Sequence, residues 1–208
     1  MNKPAASADQ PRRSRLPAAE RRASIIAAAT QVFSEVGYQR GTMSEVARRV
    51  GVSEPVVFQN FGSKAAVFAA VIEEATGGMA TAMRDRVAAN GSVGAWLTEF
   101  LAPGHLNHAH ARGAHHVLFA DAMSQAAEPP VREAIRRAHR TLARTLADLL
   151  ARGQSEGGVR RDLDPATAAW LLLSLLASQD FRAATMPDRA RLEAQLGAMT
   201  LGALTVTS

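Results

Sequence analysis

The chain has 208 residues and a formal net charge of +5, from 24 lysines and arginines against 19 aspartates and glutamates. It contains no cysteine, which excludes a disulfide framework and any thiolate metal site. Aromatics make up only 5% of a chain rich in alanine, leucine and arginine, which favours helices over sheets, and no apolar run approaches the ~20 residues that span a bilayer. A cytoplasmic protein without membrane partners is expected, since the polar N-terminus also lacks the apolar core of a signal peptide.

Residues 1–16 are rich in Pro, Ser, Ala and Arg without periodicity and are expected to form a disordered basic arm. Arg12, Arg13 and Arg15 could order in a narrow minor groove, or the segment could be only a solvated tail. A helix is expected from Pro17 to Val36, with Ile25, Ala29, Val32, Phe33 and Val36 on one stripe.

Residues 42–64, TMSEVARRVGVSEPVVFQNFGSK, then spell two short helices, a sharp turn between them, and the start of another helix. Thr42 and Glu45 form a T-x-x-E capping box. Met43, Val46, Ala47 and Val50 follow at i, i+3, i+4 and i+7, one apolar helical face. Gly51 suits the left-handed residue that ends a helix, Ser53 suits the next cap, and Pro55 falls in a first turn, where no N–H is missed. This is the spacing of a helix-turn-helix that places its second helix in the major groove.

A fourth helix is expected from Lys64 to about Thr76 through Val67, Phe68, Val71 and Ile72, ended by Gly77-Gly78 and acting as a lever between domains. Further helices are expected at about 79–89, 92–102, 113–126, 130–155, 165–181 and 188–205. Gly91, Pro103-Gly104, Pro129-Pro130, Gly157-Gly158 and Pro187 punctuate them. Ten basic and five acidic side chains fall within residues 1–64, so the whole net charge lies there and residues 65–208 sum to zero. Counterion-release binding to phosphate needs that asymmetry.

From Ala18 to Thr76 the chain resembles the DNA-binding domain of the TetR family of bacterial transcriptional regulators. The resemblance rests on Phe33 to Tyr38 (FSEVGY), Thr42, Val46-Ala47, Gly51-Val52-Ser53 and Phe61-Gly62-Ser63-Lys64, in that order and spacing. It implies an all-α fold: a three-helix DNA-binding domain at residues 17–64, then a larger helical ligand-binding and dimerisation domain at 65–208. It also implies a homodimer on a palindromic operator, usually a repressor, released by a small-molecule effector. The alternative is an architectural DNA binder of weak selectivity, which would not need a large neutral second domain.

In the reading helix Glu54, Pro55, Val56, Phe58, Gln59 and Asn60 are expected to face outward, with Val52, Val57 and Phe61 turned in. Gln59 and Asn60 can pair with adenine, or else contact phosphate or cap the helix; Val56 or Phe58 can rest on a thymine methyl. The family usually carries tyrosine where this chain has Phe58, so a phosphate-contacting hydroxyl is missing. The helix has no Lys or Arg, and Glu54 must point into the groove. Affinity is therefore expected from Arg40, Thr42, Ser53, Lys64, Arg48 or Arg49, and the arm.

The segment Trp170 to Ala177, WLLLSLLA, is apolar nearly all round and is expected to be buried against its own domain and a second subunit. Trp170, Leu173, Leu176, Leu192, Leu196 and Met199 are the expected dimer contacts. By family analogy an effector pocket would be walled by Trp96, Phe100, His116, Phe119 and Met123. His105, His108, His110, His115 and His116 cluster, but without cysteine and with no carboxylate before Asp121. A cavity-lining or exposed segment is expected there, not a metal site. No nucleophile or phosphate-loop motif is present, so neither enzymatic activity nor a cofactor is expected.

Overall fold

The computed structural model describes residues 17–103 and 114–206, and every regular element among them is an α-helix. The N-terminal arm and His105, His108 and His110 lie outside the described residues. Helix α1 spans Ala18–Arg40 and buries Ile25, Ala29, Val32 and Phe33 as their spacing requires, while Val36 stays 37% exposed. It does not stop at Val36. The backbone breaks at Gly37 (φ 78°, ψ 167°), a conformation that glycine adopts without a Cβ penalty, and three further residues complete the element.

Helix α2 spans Met43–Val50 and ends at Gly51, whose left-handed backbone (φ 77°) lets its N–H reach the carbonyls of Ala47 and Arg48. Helix α3 spans Glu54–Phe61, and α4 spans Lys64–Asn90 at 68° to it. The expected break at Gly77-Gly78 is absent: the helices anticipated at 64–76 and 79–89 are one element of 27 residues, about 40 Å long. Thr76, Ala80, Met83 and Val87 are buried at helical spacing, so burial on one face carries the helix past two glycines that lie on the other.

Helices α5 (Val93–Phe100), α6 (Ala114–Ser124), α7 (Pro129–Glu156), α8 (Pro165–Ala177), α9 (Gln179–Thr185) and α10 (Arg189–Leu204) complete the described chain. The helix expected over 165–181 is two, divided at Ser178, whose hydroxyl donates back to the carbonyls of Ser174 (2.8 Å) and Leu175 (3.2 Å). That local bonding offers the backbone an alternative to continuing the helix.

Two apolar clusters hold these helices. The first joins Ile25, Phe33, Val46, Val57, Phe68 and Ile72 from α1–α4 to Leu118 and Ala122 of α6 and Val131 and Ile135 of α7. Phe33 and Phe68 meet edge to face at 5.0 Å and are both fully buried, each worth about 1.5–3 kcal/mol of transfer free energy. The second cluster joins Val87, Trp96, Leu97, Leu146, Leu150, Leu172 and Leu204. Helices α4 and α7 contribute to both clusters, so they form the spine along which one end of the molecule is tied to the other.

Candidate nucleic-acid interface

The geometry of the face starts at Thr42. Its hydroxyl accepts the Glu45 N–H at 3.2 Å, which caps α2. The reciprocal half of the capping box is replaced. The Glu45 carboxylate instead receives Arg48 (2.6 and 2.8 Å) and Arg49 (3.0 Å), and those hydrogen bonds, Arg48's first, hold its pKa down at about 2. Arg49 also forks onto Glu35 at 2.6 and 2.8 Å, pinning α2 to α1. Arg48 and Arg49 are therefore neutralised within the protein. Arg40 is exposed, with its Nε donating to the Val36 carbonyl at 3.0 Å.

Ser53 sits at the head of α3 in an extended conformation, but its side chain makes no capping hydrogen bond, contrary to its expected role. Pro55 lies in the first turn. Val57 is fully buried and anchors α3, while Val52 and Phe61 pack partly buried against the same cluster. Glu54, Pro55, Phe58 and Gln59 are exposed, and Val56 and Asn60 are partly so. Phe58 is 40% exposed, so its ring is presented on the outer face of α3.

Asn60 is already engaged: its side-chain amide donates to the Val56 carbonyl at 2.7 Å. Its own carbonyl accepts from Arg22 at 3.0 Å, and the Arg22 guanidinium lies 4.0 Å from the Phe61 ring centroid. Arg22 thus clamps the end of α3 from α1, a role that nothing local in the sequence reveals across 38 residues. Gly62 (φ 80°) ends α3, and the Ser63 hydroxyl caps α4 by accepting the Ala66 N–H at 3.1 Å. Lys64 stands 4.5 Å over the Tyr38 ring and donates to the Gln39 carbonyl at 3.1 Å, and burial lowers its pKa. Among the described residues, then, the outward surface of α3 is uncharged apart from Glu54, and it is flanked by Arg40 and by two helix N-termini that can receive phosphate.

Comparison with known proteins agrees with this geometry. Residues 25–71 match the family model of bacterial regulatory proteins of the tetR family, and residues 117–199 match a tetracyclin repressor-like C-terminal domain. Together they span more than half of the chain. The chain belongs to the TetR family. It is 40% identical over 73 residues to the HTH-type transcriptional activator FasR of Mycolicibacterium smegmatis, covering 35% of this chain and 33% of that protein. The curated relatives are matched over a third of their length or less. In fold it is similar to reduced NemR of E. coli (TM-score 0.69, 15% identity, 90% of this chain and 98% of that one). It is also similar to Bacillus subtilis FadR solved with stearoyl-CoA (TM-score 0.62, 17% identity, 87% and 98%).

In this TetR-family chain the described members of the expected pocket wall are divided between the two clusters and the surface. Trp96 and Phe100 stack at 4.8 Å inside the second cluster, whereas Phe119 packs on the first and Met123 is 58% exposed. His116 belongs to α6, and its side chain lies outside what is described. Of the expected dimer contacts, Leu173 is buried within its own protomer, Leu176, Leu192 and Leu196 are partly buried, and Trp170 (48%) and Met199 (73%) are exposed. Among the described residues no three His, Cys, Asp or Glu side chains are gathered for a metal. No single described helix is long and apolar enough to cross a membrane.

Proposed function

We propose that this chain is a cytoplasmic, ligand-responsive transcriptional regulator that binds a palindromic operator as a homodimer and represses by occupying it. The observation that carries the reading is α3 itself. Buried Val57 fixes it to the core while Glu54, Pro55, Phe58 and Gln59 project from the molecule. A short helix so presented fits the major groove. Gln59 reads a base edge, Phe58 and Val56 rest on thymine methyls, and Glu54 accepts from a cytosine amine. Arg40, Thr42, Ser53 and the N-terminus of α4 at Lys64 position the phosphates, while Asn60 and Pro55 shape the helix ends.

Residues 17–64 act as the DNA-binding unit and 65–208 as the sensing and dimerising unit. Support for the dimer comes from α8, α9 and α10. Leu171, Phe181 and Met199 are 51%, 69% and 73% exposed, and α10 buries only Glu193, Gly197 and Leu204 in its own protomer. A helix this poorly covered is completed by a second copy of the same face. An effector bound among the C-terminal helices would shift α4 and α6 and so change the separation of the two reading helices.

The test is a salt-dependent titration of the DNA upstream of its own gene, with random duplex as competitor. Preference of about 10³-fold or more for a discrete site, at one dimer per site, supports the regulator. Unselective binding there and in selection from a random DNA pool would overturn it. A reporter fused to the selected site then reads the sign of regulation.

A further inference from the structure

Helices α7 and α8 leave a groove between them, lined in part by Trp170 and Leu173, which are also expected dimer contacts. It consists of two adjoining depressions of about 490 and 340 Å³ that share Arg140 and Trp170. Each lies in the size range of small-molecule sites. Its lining includes the small side chains of Ala143, Ala147 and Ala166, which leave room between the larger ones. One wall is the Trp170 indole, 48% exposed although it is among the largest apolar surfaces in the chain.

The opposite wall is cationic. Arg137, Arg140 and Arg144 line the larger depression, and Arg136 and His139 join Arg140 in the smaller, while no carboxylate lines either. Arg137 is neutralised by Glu73 and Glu133, and Arg136 approaches Glu133 at 3.9 Å. Arg140 and Arg144 differ from them. Among the described residues neither has a carboxylate partner, and the one side-chain hydrogen bond between them runs from Arg144 Nε to the Arg140 carbonyl at 3.3 Å. They stand one helical turn apart on the same side of α7, so one anionic group can engage both. Two guanidinium groups with no carboxylate partner among the described residues, beside an exposed indole, match a carboxylate carried on a flat apolar body: they hold its charge and the ring stacks on its scaffold.

We propose that the α7–α8 groove binds a small amphipathic organic anion, a carboxylate on a planar apolar body, with Arg140 and Arg144 holding the charge and Trp170 covering the body. A second copy of the chain, which the expected contacts Trp170 and Leu173 would meet, is the rival occupant, but α8, α9 and α10 offer it further apolar surface in Leu171, Phe181 and Met199, and it would leave both arginines unmatched.

The test is calorimetric titration of the full chain, without DNA, with 1-naphthoate and with 1-naphthalenemethanol as its uncharged analogue, the oligomeric state being measured alongside. Binding is thus read independently of the regulatory assignment. The expected result is saturation at one naphthoate per chain, weakened about tenfold or more by loss of the charge on either side: in the alcohol, or in the combined Arg140→Ala, Arg144→Ala variant. Trp170→Ala weakens both ligands. The two arginines are exposed on α7, so their removal leaves the core and the fold in place. Unchanged affinity in the double-arginine variant would place the ligand elsewhere and overturn the proposal. So would the absence of naphthoate binding by the wild-type chain, which in a dimer means that the second copy closes the groove.

Discussion

The backbone N–H of Tyr38 donates to the Asp121 carboxylate at 2.6 Å, joining the end of α1 to α6 across 83 residues. The break at Gly37 makes this possible, because a Cβ there would stand 3.1 Å from the same Asp121 oxygen. Around it the Tyr38 hydroxyl donates to Glu128 at 2.8 Å and Gln39 to Gln125 at 2.8 Å. Burial, then the bond to Glu128, raises the Tyr38 pKa, so the phenol stays a donor. The DNA-facing helices thus share polar contacts as well as a core with α6 and the start of α7, and α4 is not their sole connection to the rest of the molecule.

Asp121→Ala should therefore destabilise the fold by about 1–3 kcal/mol, the cost of leaving a buried donor unsatisfied, whereas Asp121→Asn keeps an acceptor and loses less. Denaturant unfolding with a shared m-value checks this. Equal midpoints for wild type and Asp121→Ala would mean that water replaces the carboxylate and that the contact holds nothing.

Glu45 makes a prediction about acid. Its carboxyl, held at about 2 by Arg48 and Arg49 against an ordinary 4.5, is favoured ionised in the folded state. A depressed carboxyl contributes stability that is present above the unfolded value and lost as pH falls through the folded one. The stability gap between wild type and Glu45→Gln should accordingly be constant near neutrality, shrink from about pH 4.5, and close near pH 2. A gap that does not narrow in chemical unfolding followed down that range would show that the pair contributes nothing on folding.

The parts of this fold legible in the sequence are those governed by local geometry. Thr42, Gly51, Pro55 and the stripe of Met43, Val46 and Ala47 give α2, the turn and α3 directly, because caps and left-handed glycines act within a few residues. Pairings across long separations leave no such trace: Arg22 with Phe61, Glu35 with Arg49 and Tyr38 with Asp121 become visible only when helices pack. The expected pocket walls show the same limit. Family analogy groups Trp96 with Phe119, but nothing local in the sequence says that they pack on different cores.

Within α3 the hydrogen bonds separate two neighbours. Gln59 is exposed and its amide has no partner among the described residues, while the Asn60 amide is spent on Val56. Gln59→Ala should cost about 1–3 kcal/mol at one base position and relax preference there. Asn60→Ala should weaken operator and random DNA alike by loosening the helix end, and Lys64→Ala should weaken all sequences and flatten the salt slope. Competition titrations against single-base operator variants decide. Equal losses on every sequence for Gln59→Ala would remove it from base reading.

Glycines test the packing of the two spine helices in opposite directions. Alanine is favoured over glycine in a helix interior by about 0.8–1.0 kcal/mol. At Gly77 and Gly78 of α4 a Cβ would meet nothing within 4 Å, so each Gly→Ala change should stabilise the protein by nearly that amount. At Gly153 of α7 the same Cβ would stand 2.5 Å from Val159 Cγ2 and 2.9 Å from Val93 Cγ1. Overpacking typically costs about 1–3 kcal/mol, which exceeds the gain in propensity, so Gly153→Ala should be net destabilising. Thermal midpoints of the three variants would settle it: upward shifts for the first two and a downward shift for the third are expected. A stabilised Gly153→Ala would mean that α5 and the Val159 turn yield easily, and that the second core is looser than its buried valines indicate.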